Sequence, residues 1–175
     1  MKILLKILVT IILLFVIVGL LLPSRVLVER SVLIDAPATK IFPYLNDLRA
    51  FNRWSPWAGR DPNATYSFSG PDSGVGMRMR WYSEQPDVGS GSQEIVTSVP
   101  GKSVTTVLDF GETGQARATL FITADGVSSR VTWRFEEELS WNPLHRWIGL
   151  AMDSLLGPDY EQGLVNLKSL LEATG

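Results

Sequence analysis

The stretch Glu29–Trp57, "ERSVLIDAPATKIFPYLNDLRAFNRWSPW", changes its hydrophobic period partway through. Its start belongs to a β-branched run, Val26 to Ile34, whose imperfect alternation predicts a strand. Asp35-Ala36-Pro37 interrupts that run. Beyond it Ile41, Tyr44, Leu45 and Leu48 fall at helical spacings, and so do Leu48, Phe51 and Trp54. Two short helices are expected, divided near Asn46-Asp47, with Asp47 as the cap of the second. Pro43 lies close enough to the start of the first to be tolerated. Ser55-Pro56 is expected to end the second. The chain then continues through "RWSPWAGRDP", Arg53–Pro62, a turn-like piece that carries two tryptophans.

Downstream, the period settles at two. "TYSFSG" leads into the turn "PDSGVG", and "MRMRWYSE" alternates strictly. Met77, Met79 and Trp81 therefore share one face, with Arg78, Arg80 and Tyr82 on the other. "GSQEIVTSVP", "SVTTVLDF" and "ARATLFITAD" follow as further strands. "VTWRFEEEL" sets Val131, Trp133 and Phe135 opposite Arg130, Thr132, Arg134 and Glu136. Short turns between such runs argue an antiparallel meander with one apolar face. The chain closes with helix. Leu144, Trp147, Ile148, Ala151 and Leu155 trace one apolar stripe, Gly157-Pro158 is expected to break or kink it, and Tyr160, Leu164, Leu167 and Leu171 continue it. The class is α+β.

Upstream, Ile7 to Leu22 reads "ILVTIILLFVIVGLLL", without a charge. With Ile3, Leu4 and Leu5 it reaches about 20 residues, enough at ~1.5 Å each to cross ~30 Å of hydrocarbon. A single membrane-spanning anchor over residues 1–24 is expected, ahead of a domain over residues 25–175. The rival is a cleaved secretory signal with Lys2 as its basic region. The apolar run exceeds the usual ~7–15 residues of such a signal, and "LLLPSR" has no small-x-small cleavage site. Lys2, Lys6 and the terminal amine outweigh Arg25 and Arg30 slightly, which favours a cytoplasmic N-terminus and an extracytoplasmic domain.

The 175 residues are 45% hydrophobic, ample for one core plus this appendage. Setting aside Lys2 and Lys6 lowers the basic count from 16 to 14 against 18 acids, a net of −4. No cluster of four Lys/Arg follows the anchor, so a polybasic headgroup patch is absent. The basic stripe expected of a nucleic-acid binder is also missing. Without cysteine there is no disulfide, thiolate nucleophile or Cys-containing metal site.

The element order resembles that of the SRPBCC superfamily of START-like lipid carriers, polyketide cyclase-like proteins and birch-pollen-allergen-like proteins. The passages that carry the resemblance are the opening stretch, "YSFSGPDSGVGMRMRW", "TADGVSSRVTWRFE" and "GPDYEQGLVNLKSLLE". Together they look most like its membrane-anchored polyketide cyclase-like branch, over roughly Val26 to Ala173. The resemblance implies a helix-grip fold, a curved antiparallel sheet wrapped around the C-terminal helix and enclosing a deep apolar cavity. It also implies a hydrophobic small molecule or lipid as partner, with catalysis in some branches only.

In such a fold "RWSPW" leaves the second short helix at the cavity rim. Trp54 and Trp57 then either gate the rim or seal the end of the core. Met77, Met79, Trp81, Trp133 and Phe135, with Tyr160 and Leu164 of the last helix, complete the expected ligand-binding set. Methionine beside aromatics suits flexible guests, and the same residues suit an ordinary core. Nothing in the pattern calls for a cofactor or a metal, although an all-carboxylate site stays open.

Catalysis has little support. His145, the single histidine, reads as an exposed first-turn residue and would need an orienting acid to act as a base. Glu136-Glu137-Glu138 reads as a solvated strand end. The serines of "SGPDSGVG" lack a nucleophile elbow, and "GSGSQ" lacks the context of a phosphate loop. The arginines at 78, 80, 117, 130 and 134 are expected on the solvent face beside acids. The leading expectation is a non-catalytic, membrane-tethered binding domain. The alternatives are a cyclase or aromatase that uses the cavity as a template, and an interaction module with a filled core.

Overall fold

The computed structural model describes residues 2–139 and 141–173. Helix α1 (Lys2–Leu21) is followed by strand β1 (Arg25–Ile34) and helices α2 (Ala38–Asn46) and α3 (Leu48–Asn52). Strands β2 (Thr65–Ser69), β3 (Arg78–Tyr82), β4 (Ser90–Val99), β5 (Ser103–Asp109), β6 (Gln115–Asp125) and β7 (Ser128–Glu138) come next, then helix α4 (Pro143–Glu172). This is the order the sequence predicts.

The strands form one antiparallel sheet in the order β1-β7-β6-β5-β4-β3-β2. β1 pairs β7 from Arg25↔Glu138 to Ile34↔Ser129, so the first strand lies beside the last. A register shift between Ile95 and Thr97 interrupts the β4–β5 ladder, and such bulges bend a sheet. The buried face alternates as expected, with Val26, Val28 and Ile34 of β1 and Val131, Trp133 and Phe135 of β7 turned inward. α4 covers this face along β1, burying Tyr160, Leu164, Leu167 and Leu171. The result is a helix-grip fold.

Polar ties fix α4 in register with β1. Lys168 Nζ donates to Leu33 O at 2.7 Å, and the Asp35 amide donates to Glu172 Oε1 at 3.0 Å. Arg30 occupies an inward-facing position of β1 and reaches Asp153 at 2.8 Å and Glu161 at 2.7 Å. The expected outward arginines do lie on the other face, where Arg78 pairs with Glu94 and Arg134 with Glu29. Arg30 escaped the sequence reading because the alternation of β1 is imperfect.

Two expectations about the helices need correction. α3 ends at Asn52, short of Ser55-Pro56, and Arg53 and Trp54 continue as turns bonded back to Ala50 and Phe51. Gly157-Pro158 does not break α4, which runs unbroken for 30 residues. Pro158 is exposed, so the carbonyl it leaves unbonded one turn earlier is open to water. The stripe Leu144, Ile148, Ala151 and Leu155 stays exposed, and only Trp147 of that set is partly covered.

Candidate ligand-binding site

The local sequence builds the end of the grip. Asp47 Oδ1 accepts the Arg49 amide at 2.8 Å, and Met77 Sδ accepts the Leu48 amide at 3.3 Å. These two acceptors satisfy first-turn donors of α3 and place Leu48 and Phe51 on the core. The following loop is clamped from three sides. Asn166 Nδ2 donates to Trp54 O at 3.2 Å, Arg60 pairs with Asp159, and Ser83 Oγ donates to Asp61 Oδ2 at 2.6 Å. The two tryptophans of "RWSPW" thus sit on a fixed loop between α4 and β3.

Between this loop, the sheet and α4 lies a cavity of about 230 Å3. Six of the nine expected residues reach its wall: Trp57, Met79, Trp81, Trp133, Phe135 and Tyr160. Trp54, Met77 and Leu164 do not. Trp54 is 1% exposed, with its indole N–H on Tyr44 O at 3.2 Å and its ring edge-on to Phe51 and Trp133. It packs behind the wall, which Trp57 alone of the two reaches. Met77 is taken up by α3, and Leu164 lies in the core.

Small residues on β6 leave the space. Ala118 sits opposite Phe135 on one side and Thr106 on the other, where larger side chains would fill the grip. Two glycines let rings approach the backbone. A Cβ at Gly163 would stand 2.8 Å from Trp133 Cζ3, and one at Gly91 would stand 2.6 Å from Trp81 Cζ2. Trp81 is further held by its N–H on Val88 O at 3.3 Å and lies edge-on to Phe110. Trp57 meets Trp133 and Tyr160 edge-on, with centroids 5.9 and 6.3 Å away.

Sequence reasoning missed Phe51, Tyr66, Leu108, Phe110 and Leu156 on the wall. Tyr66 was within reach of it, since Tyr66 and Phe68 alternate in "TYSFS" and Tyr66 pairs with Trp81.

Polar groups are few here. Gln93 donates to Thr106 Oγ1 at 3.0 Å at a buried position of the wall. Burial pushes the Tyr160 phenol well above its ordinary value. Tyr66 is raised by burial and by the nearby Asp61 charge. Both phenols are neutral donors at pH 7, and neither serves as a base.

A larger open recess of about 690 Å3 lies at the sheet end beyond Phe135. Its walls include Arg25, Arg117, Glu136, Glu137 and Glu138 beside the core residues Val26 and Ala116, so charged groups make up half of its lining. The smaller cavity is therefore the better candidate for an apolar guest. Glu137 is half-buried there, a correction to the solvated reading of the three glutamates. Burial pushes its carboxyl up and His145 partly offsets this. Among the described residues no group of three or more His, Cys, Asp or Glu is placed to hold a metal.

The family described as "Polyketide cyclase / dehydrase and lipid transport" matches residues 25–172. No curated protein matches the chain. Among solved structures, protein Ms6760 from Mycobacterium smegmatis superposes with a TM-score of 0.61 at 17% identity, over 86% of this chain and 93% of that one. Protein MLL2253 from Mesorhizobium loti gives 0.59 at 17% identity, over 86% and 98%. The di-domain aromatase/cyclase StfQ of the steffimycin biosynthetic pathway gives 0.64 at 12% identity, over 86% of this chain and 52% of that one. At such identities the likeness is one of fold.

Proposed function

The chain belongs to the polyketide cyclase / dehydrase and lipid transport family, and from that premise we propose that it binds a small hydrophobic molecule in the Trp57–Trp81–Trp133 cavity, tethered to a membrane by α1. The observation that carries the reading is the cavity itself. It is walled mainly by aromatic and aliphatic side chains and one methionine, with a few polar groups to orient a guest, Asn52, Ser55, Gln93 and the Asp87 carboxylate among them. At about 230 Å3 it falls just below the ~300–1,000 Å3 of ordinary small-molecule sites. That volume favours a guest of one or two rings, bearing an oxygen that accepts from a phenol, over a long acyl chain or a four-ring product.

The tether rests on α1, whose 20 residues are long and apolar enough to cross a bilayer and whose side chains are almost all exposed. A helix buried in a soluble core would be covered. The placement of Lys2 and Lys6 at the N-terminal end of the span favours an extracytoplasmic domain.

The binding reading is tested by titrating a two-ring fluorescent probe, 2-naphthol, into the full chain in lipid nanodiscs, with empty nanodiscs subtracted. Saturable binding is expected, weakened at least tenfold by Ala118→Trp, which fills the space opposite Phe135. Equal signals from both proteins would reject the cavity as the site.

A further inference from the structure

The first half of α4 carries an apolar face that the domain does not use. Leu144, Ile148, Ala151 and Leu155 recur at i, i+4, i+7 and i+11, so they line one side of the helix. All four are exposed, Leu144 at 56%, Ile148 at 57% and Leu155 at 63%. Trp141, just ahead of the helix, is also exposed. Asp153 and Arg146 turn away from this face, Asp153 pairing with Arg30 and Arg146 donating to Leu20 O and Leu22 O.

The same half-helix is bound to α1. Phe15 stacks on Trp147 with centroids 5.0 Å apart, and Trp147 Nε1 donates to Phe15 O at 3.1 Å. A Cβ at Gly19 would come within 2.7 Å of Pro143 Cβ, so the backbones meet closely there. Arg146 supplies donors to carbonyls that the end of α1 would otherwise leave open. These contacts run from Phe15 to Leu22, the last ~10 Å of the span at ~1.5 Å per residue. Interfacial helices sink their apolar face ~5–10 Å into the headgroup and acyl boundary.

We infer that the first half of α4, from Leu144 to Leu155, lies in the surface of the bilayer that α1 crosses, with its exposed stripe covered by acyl chains. The inference rests on the proposal that α1 spans that bilayer. Continuity with α1 decides the occupant, because a face joined to the end of a span by stacking and three hydrogen bonds sits at membrane depth. Trp141 and Trp147 match the aromatic belt of such a boundary. The consequence reaches the cavity. Leu156, directly after the stripe, lines it, so the wall that α4 contributes adjoins the lipid surface.

The chain has no cysteine, which permits single-site labelling. Nitroxides are attached to Cys introduced singly at Leu144, Ile148 and Leu155, with Val9 in α1 and Val127 in the β6–β7 turn as references. The full chain is reconstituted in phosphatidylcholine/phosphatidylglycerol vesicles, and collisions with oxygen and with a water-soluble nickel chelate are compared. The expected oxygen-to-nickel ratio at the three α4 sites is at least threefold above that at Val127 and below that at Val9, which lies deeper, near the middle of the span. Ratios at the α4 sites within twofold of Val127, with Val9 still lipid-exposed, overturn this inference and leave the span intact. An aqueous ratio at Val9 overturns the span, and the inference with it. Labels shielded from both reagents, with spin–spin broadening, place a second copy on the stripe and also overturn it.

Discussion

Tyr160 of α4 stacks on Trp133 of β7, with ring centroids 3.9 Å apart and planes 15° from parallel. This contact joins the helix to the sheet at the cavity wall, and Trp57 closes on both rings edge-on. Offset or edge-on aromatic pairs add about 0.5–1.5 kcal/mol each beyond their buried area. The same rings therefore hold the grip together and shape the space inside it.

The stack depends on the absence of a side chain at residue 163. Gly163→Ala would press a methyl group against Trp133 and the ring of Pro56. Overpacking of this kind costs about 1–3 kcal/mol. Urea unfolding followed by tryptophan fluorescence should show that loss; a change below 0.5 kcal/mol, on the order of an ordinary surface substitution, would mean that the indole moves aside freely.

Binding should follow the apolar wall and not the histidine. Trp81→Ala in a domain that retains its circular dichroism should weaken 2-naphthol at least tenfold, while His145→Ala stays within about twofold, as for residues outside a site. Trp57→Ala should change the rates of uptake and release more than the equilibrium. Loss in His145→Ala of a measurable turnover that the wild type shows would favour the enzyme reading.

Glu137 should make stability fall as pH rises. Its folded carboxyl is held above the ordinary value by burial, so the folded state keeps its proton where the unfolded state releases it. The contribution is fully present below the unfolded value of about 4.3 and is lost as pH climbs through the raised folded value. Glu137→Gln should remove this decline and leave the protein more stable than wild type at pH 7. A variant whose stability tracks wild type across that window would show the carboxyl to be solvated in the folded state.

Protease added to sealed, right-side-out membrane vesicles should digest the domain. Protection until the vesicles are lysed would place it on the cytoplasmic side and reverse the orientation inferred from Lys2 and Lys6.

The fold was legible because its signals are periodic. Strict alternation marked Met77, Met79 and Trp81 as one face, and the spacing from Tyr160 to Leu171 marked the buried side of α4. Periodicity assigns a face without saying what covers it. Met77, Met79 and Trp81 point the same way, yet α3 covers the first while the cavity opens over the other two. The stripe from Leu144 to Leu155 shows the same limit from the other side, since its spacing was right and no part of the domain covers it. Pro158 left break and kink both open, because a proline's effect depends on whether water reaches the carbonyl it frees, and α4 does not break there.

Native mass spectrometry of the full chain, released from its own membrane in mild detergent, addresses the central claim most directly. The wild-type protein should carry a small apolar adduct in near-unit stoichiometry, and Ala118→Trp, folded by circular dichroism, should fly at its bare mass. A wild-type protein at bare mass that also fails to take up 2-naphthol, or an adduct that persists unchanged in Ala118→Trp, would contradict the assignment of this cavity as the binding site.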